Sequence, residues 1–279
     1  IRTVGRKGEG PGEFGSRVRL IVGSLDTLYV LDDSQARMSV FSPSGEFVRS
    51  FPTPNQVRSL ALLDNGDLLF SRQPAGPDEA LFHIMSLDGK ERSRFGRAHA
   101  HPIRLDDRIV ARAHPNGFWA ASIWEYELHR WRTPDLQEPP VVREADWFPP
   151  NGRFVDGMPF TVPTSPVLRH IWDDGHGGVW TYSVVADASW EPQIPLDPLF
   201  EWTRRTFDMV IEVIDLEEGR VITASRYDQI YGKACGNHLL YTVVEGEDGD
   251  TRLKVIEPTL TVPTAGIGAL PPSSNPGSL

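Results

Sequence analysis

Few residues in this 279-residue chain have types and spacing suited to chemistry. In AHAHP, His99 and His101 stand one residue apart, so on an extended segment both imidazoles point the same way. Such a pair shares a Zn²⁺ when a third ligand converges from another loop, and His170 or an aspartate of the same face would have to provide it. No flanking motif fixes that third ligand, and a pair of solvated loop histidines explains the sequence as well. Asp32, Asp33 and Arg37 form a local charge set whose plain reading is structural, the guanidinium satisfying loop carboxylates or carbonyls. Glu9 and Glu13 read as similar braces within the glycine-rich run GRKGEGPGEF.

Those glycines do not spell a phosphate cradle. No helix follows them, the Walker Lys-Ser/Thr ending is absent, and Pro11 removes a backbone donor. Neither G-x-S-x-G nor H-E-x-x-H occurs, so neither a serine hydrolase nor a zincin is supported and no catalytic residue is assigned. The remaining candidates suit binding: Trp124, Glu125, Trp190, Phe200, Trp202 and Arg226. Aromatic rings give large contact area with few rotatable bonds.

These residues are positioned by a repeat. Five times between Val18 and Thr261 the chain runs through a strand, a tight turn, an apolar strand, a polar loop and a third strand. The second strands begin at Leu28, Leu68, Phe118, Val179 and Leu239, preceded by turn pairs such as Asn65-Gly66, Asn116-Gly117 and Gly177-Gly178. Outer strands follow as FVRSF, ERSRF, VVREA and RVITAS, and the fifth copy lacks one. Repeated strand units with no helices between them predict an all-β fold, a β-propeller with five recognisable four-stranded blade repeats. The expected propeller covers 1–262, with blades at 18–51, 57–96, 108–145, 167–226 and 230–262, residues 1–5 as an outer closing strand, and 263–279 as a flexible Pro/Ser/Gly-rich tail.

Composition narrows the partners. A net charge of −10 argues against a surface built to neutralise phosphates, so no nucleic acid is expected. No run approaches the ~20 apolar residues of a membrane helix, and a monomer is expected. Cys235 stands alone and reads as a buried thiol of an inner strand, which leaves the redox compartment open.

Gly8, Gly10, Pro11, Gly12, Glu13 and Phe14, followed by Tyr29, Val30, Asp32 and Arg37, resemble bacterial six-bladed propellers of the NHL-repeat-like class. The match covers roughly the first fifty residues, FDMVIEVIDLEEGRVITAS resembles the late-blade pattern, and copies two and three fit loosely. The resemblance implies six blades, hence an amino-terminal portion upstream of Ile1, and a bacterial protein that is exported, to the periplasm or cell envelope. It implies no common reaction: the class includes lactonases, amidating lyases and protein-binding modules, and no catalytic set transfers residue by residue.

Propeller geometry puts the outer-to-inner connections and the loops between second and third strands on one face. The expected function is non-enzymatic binding of a small molecule, peptide or protein there, without a cofactor. One alternative is a metal-assisted hydrolase or lyase at the central mouth, using Ca²⁺ or Zn²⁺. The other is a structural subunit of a cell-envelope complex.

Overall fold

The computed structural model describes residues 4–15, 17–73, 76, 79–97, 108–148, 165–187, 190, 207–233, 239–245 and 251–260. Strands β1 (Arg6–Lys7) and β2 (Glu13–Phe14) pair in parallel, so the glycine-rich run closes on itself. The first sheet is an antiparallel meander of β3 (Val18–Val22), β4 (Leu28–Asp32), β5 (Arg37–Phe41) and β6 (Phe47–Pro52). The second repeats it with β7 (Val57–Leu62), β8 (Leu68–Arg72), β9 (Ala80–Met85) and β10 (Glu91–Arg97).

The third contains β11 (Arg108–Arg112), β12 (Phe118–Ser122), β13 (Glu127–Thr133), β14 (Leu136–Gln137) and β15 (Val141–Val142). The fourth is formed by β16 (Val167–Asp173), β17 (Gly178–Ala186), β18 (Phe207–Asp215) and β19 (Val221–Tyr227). The fifth holds β20 (Gly232–Lys233), β21 (Leu240–Glu245) and β22 (Thr251–Ile256). This all-β series of antiparallel sheets, each stacked on the next, is a β-propeller.

Second strands are apolar because both of their faces are covered. Every residue of FWAAS in β12 and all but the first of LYVLD in β4 are buried. Outer strands are polar for the opposite reason, as in FVRSFP of β6, where Phe51 alone is buried. The hairpins obey the same logic: Leu25 and Asp26 both take positive φ (54° and 56°), the double left-handed turn that follows strand twist. Gly117, with φ 94°, tolerates no side chain, since a Cβ would stand 2.0 Å from the Trp131 carbonyl oxygen.

The core lies between sheets. Tyr29, Leu31, Met38 and Phe51 of the first meet Val57, Leu68, Phe70 and Met85 of the second. Phe82 and Ile84 then meet Val110, Phe118 and Ala120, with Trp131 stacked on Phe118 at 5.9 Å and 4°. Trp119, Leu128 and Phe148 meet Leu168, Ile171 and Ile214, and Tyr182, Met209 and Ile211 meet Leu240. Burying each such side chain stabilises the fold by ~1.5–3 kcal/mol.

The run VVREA opens with β15, and a further short strand, β14, precedes it: both pair with β13, and Pro139-Pro140 between them have no N–H to extend the ladder. In the stretch IYGKAC the described strand is β20, and Cys235 itself lies outside the described residues, as do residues 1–3 of the expected closing strand and the tail 263–279. Among the described residues no cluster joins the fifth sheet to the first. The far face of the first sheet exposes Val18 (46%), Leu20 (42%) and Val22 (41%).

Candidate binding face

Strand direction alternates within each meander, so the ends of β4, β8, β12 and β17 and the starts of β5, β9, β13 and β18 all lie on one side. That side is built from the glycine-rich run upward. Asp32, at the end of β4 and fully buried, accepts hydrogen bonds from Gly15 N (2.7 Å), Ser34 N (3.0 Å), Gln35 N (3.2 Å) and the Ser34 hydroxyl. Arg37, opening β5, donates to the carbonyls of Glu9 (2.9 Å), Gly10 (3.1 Å) and Glu13 (2.7 Å). Gln35 Nε2 adds a bond to Gly8 O at 2.8 Å.

The Glu13 carboxylate accepts from Gly10 N at 2.8 Å and from Arg6 Nε at 2.7 Å, while Glu9 contributes its backbone carbonyl. Gly8 takes φ 155°, and a Cβ there would fall 2.1 Å from Glu13 Oε2 and displace that carboxylate from its bonds. Phe14 then packs on Phe41, which meets Phe47 edge-on. The run is thereby fastened to the first sheet at both its polar and its apolar side.

Asp33, one residue on, differs from Asp32. Its Oδ2 pairs with Arg19 Nη2 at 2.8 Å, and the same nitrogen donates to Val57 O of the next sheet. Among the described residues, Asp33 Oδ1 and Arg19 Nη1 are buried without hydrogen-bond partners. Desolvation raises the Asp33 pKa against the pull of Arg19 and Arg17. At Asp32 desolvation also pushes upward, but the Ser34 hydroxyl and the three backbone N–H groups outweigh it and the pKa falls.

Trp124 and Glu125 occupy the loop between β12 and β13, both half-buried, with Trp124 N bonded to Ser122 Oγ at 3.2 Å. Arg226, near the end of β19, donates to Asp208 Oδ2 (2.5 Å) and Ala186 O (2.6 Å), so it braces the base of the connection between β17 and β18. Trp190, half-buried, donates its backbone N–H to Asp187 O at 3.1 Å in that connection. His99, His101, Phe200 and Trp202 lie outside the described residues. Among the described residues no three His, Cys, Asp or Glu side chains gather as a metal-binding group.

One polar cluster escaped the sequence reading. Buried Glu212 on β18 accepts from Arg143 Nε (3.2 Å) and Nη2 (3.1 Å) and from the Tyr126 hydroxyl (2.8 Å), which also meets Thr181. Burial, and next the Glu212 charge, raise the Tyr126 pKa well above the usual phenol value. A lone acid inside the apolar run MVIEVI was the available signal, since a buried carboxylate demands a cation. The cluster clamps the third sheet to the fourth.

The lowered pKa of Asp32 sets a pH dependence. A carboxyl stabilised as its anion in the folded state adds stability above its unfolded pKa, and that stability is lost as pH falls through the folded value. Urea unfolding at pH 7 should show Asp32→Asn less stable than the parent by ~1–3 kcal/mol, because bonds to a charged acceptor are lost. The gap should shrink below the usual carboxylate range, and a gap independent of pH would contradict the assignment.

No family model matches the chain, and no curated protein matches it. Among solved structures, a candidate exported protein from Bacteroides fragilis superposes with a TM-score of 0.55 at 9% identity, over 88% of this chain and 71% of its own. A member of the DUF4221 family from Bacteroides vulgatus gives 0.52 at 11% identity, over 90% and 81%. A virginiamycin B lyase from Staphylococcus aureus gives 0.43 at 12% identity, over 80% and 60%. At such identities the likeness concerns the fold.

Proposed function

We propose that this chain is a non-enzymatic binding propeller that takes a small molecule, a peptide or a protein on its loop-bearing face. The observation that carries the reading is how charge is used there. Asp32, Arg37, Asp208 and Arg226 are all engaged in holding connections in place, which gives a rigid rim to the aromatic groups Trp124 and Trp190. Rigid support lowers the ordering cost of binding. A thermal-shift screen supplies the ligand, after which Trp124→Ala and Trp190→Ala should each weaken it by about tenfold, the scale of a lost aromatic anchor. Unchanged affinity in both variants removes the rim from the site.

The ring of which these sheets are part is proposed to have six blades. Val18, Leu20 and Val22 form an apolar stripe of the kind that neighbouring sheets cover elsewhere in this array. In the chain as given, Leu20→Ser should cost little, whereas in a longer chain containing a further sheet against β3 it should cost ~1–3 kcal/mol. Equal costs in both would exclude the extra blade on that face.

An exported location is proposed as well, with the Bacteroides fragilis likeness as support. Fractionation of the source bacterium should place the protein in the periplasm or envelope, and recovery in the cytoplasm alone would overturn that assignment.

A further inference from the structure

The inner hairpins of the second and third sheets turn on the same pair of residues, Asn65-Gly66 between β7 and β8 and Asn116-Gly117 between β11 and β12. An asparagine before a glycine can react with its own backbone. Glycine has no Cβ, so its nitrogen is open to approach by the side-chain carbonyl carbon of the residue before it. Both asparagines are exposed, and both glycines have left-handed backbones, with φ 82° and 94°. Water therefore reaches the two turns alike, and the difference between them lies in how the reacting groups are held. The third such pair in the sequence, Asn151-Gly152, lies outside the described residues.

At the first turn every reacting group is occupied. Asn65 Nδ2 donates to Asp67 Oδ2 at 3.0 Å, Asn65 Oδ1 accepts from Asp67 N at 3.0 Å, and Gly66 N donates to Leu63 O at 3.0 Å. Asp67 is itself anchored, its other carboxylate oxygen lying 3.8 Å from Arg92 Nε of β10. These bonds must break together before Asn65 Cγ can come onto Gly66 N. At the second turn, among the described residues, no hydrogen bond holds the Asn116 side-chain amide or the Gly117 N–H. What is held there is Gly117 O, which accepts from Ala113 N at 3.1 Å. That bond leaves both partners of the reaction able to meet.

We propose that Asn116 is a self-modification site, at which the folded chain deamidates while Asn65 is protected. Gly117 N attacks Asn116 Cγ; a C–N bond forms, the bond from Cγ to Nδ2 breaks, and ammonia leaves with the proton that Gly117 N gives up. The cyclic imide takes up a water molecule, which opens it at either carbonyl carbon to give aspartate or isoaspartate at position 116. The net change is amide and water to acid and ammonia, and no other reactant is needed. Either product adds a negative charge at the hairpin end of the third sheet, away from the face proposed for binding.

The isoaspartate form also lengthens the backbone by one carbon directly before Gly117, where even a Cβ would stand 2.0 Å from the Trp131 carbonyl oxygen. Buried Phe118 and Trp119 follow at once, one in the core between the second and third sheets and the other in the core between the third and fourth. A chain aged in this way loses stability at both interfaces.

The test is peptide mapping by mass spectrometry of the folded chain kept at pH 6 and at pH 8, beside the same chain in urea. Conversion is read from the mass change of exchanging NH₂ for OH, and isoaspartate from labelling by an isoaspartyl methyltransferase. In the folded chain the Asn116 peptide should convert, faster at pH 8 because more of the attacking nitrogen is deprotonated. The Asn65 peptide should convert about tenfold more slowly or less, the rate factor set by breaking two ordinary hydrogen bonds. In urea the two should convert alike, and Asn116→Gln should leave its peptide unconverted. Asn116→Asp, which carries the charge without the extra carbon, should melt like the parent, whereas the isoaspartate form separated from an aged sample should melt lower. Equal rates at the two sites in the folded chain overturn the proposal, as does an Asn116 peptide that converts in urea and stays intact when folded; an isoaspartate form that melts with the parent overturns the stability consequence.

Discussion

A sheet of three to five strands with apolar residues on both faces cannot bury itself, and the rest of this molecule follows from that. Leu31 of the first sheet and Phe70 of the second reach complete burial only because the two sheets stack. The same requirement passes from sheet to sheet, through Phe82 and Phe118, then Leu128 and Ile171, then Met209 and Leu240. Each interface is a core in miniature, and each sheet depends on two neighbours. Exposure of Val18, Leu20 and Val22 on the first sheet marks where that dependence is unmet among the described residues.

Apolar stacking is nondirectional, and a small set of buried charges supplies the direction. Asp173 of the fourth sheet holds the Trp119 indole and the His114 amide of the third, and Glu212 takes the bidentate Arg143 together with Tyr126. Arg19 reaches from the first sheet to a carbonyl of the second while pairing with Asp33. Removing one partner of such a pair leaves an uncompensated buried charge, so these contacts set register more than they add net stability. They also keep the loop-bearing ends of neighbouring sheets in fixed relation, the condition for a site made from several sheets.

Much of the architecture was legible because strand and turn chemistry is local. Apolar runs such as LLF and FWA after Asn-Gly pairs announce a hairpin, and the observed second strands start within a residue of where those runs do. In the third sheet the two prolines ahead of Val141 separate a short β14 from β15, and only β15 falls in the run VVREA. For the face, the roles of Asp32 and Arg37 were readable as loop bracing because their partners lie within thirty residues. Glu212, Arg143 and Tyr126 were not, since three residues on separate strands give no spacing to recognise.

By itself the sequence determined the repeat, the strand order within each unit and the sign of the overall charge, since these depend on side-chain alternation, turn residues and composition. Only the tertiary structure decided which arginines leave the regular strand alternation. Arg58 and Arg169 look like ordinary polar positions of a strand, and it takes pairing across two strands to show that each is a bulge residue. The opposite pKa shifts of the adjacent Asp32 and Asp33 have the same origin: one is ringed by local N–H groups, and the other is buried against an arginine from another strand. Charge environment is a property of chain segments brought together from afar, and no linear pattern encodes it.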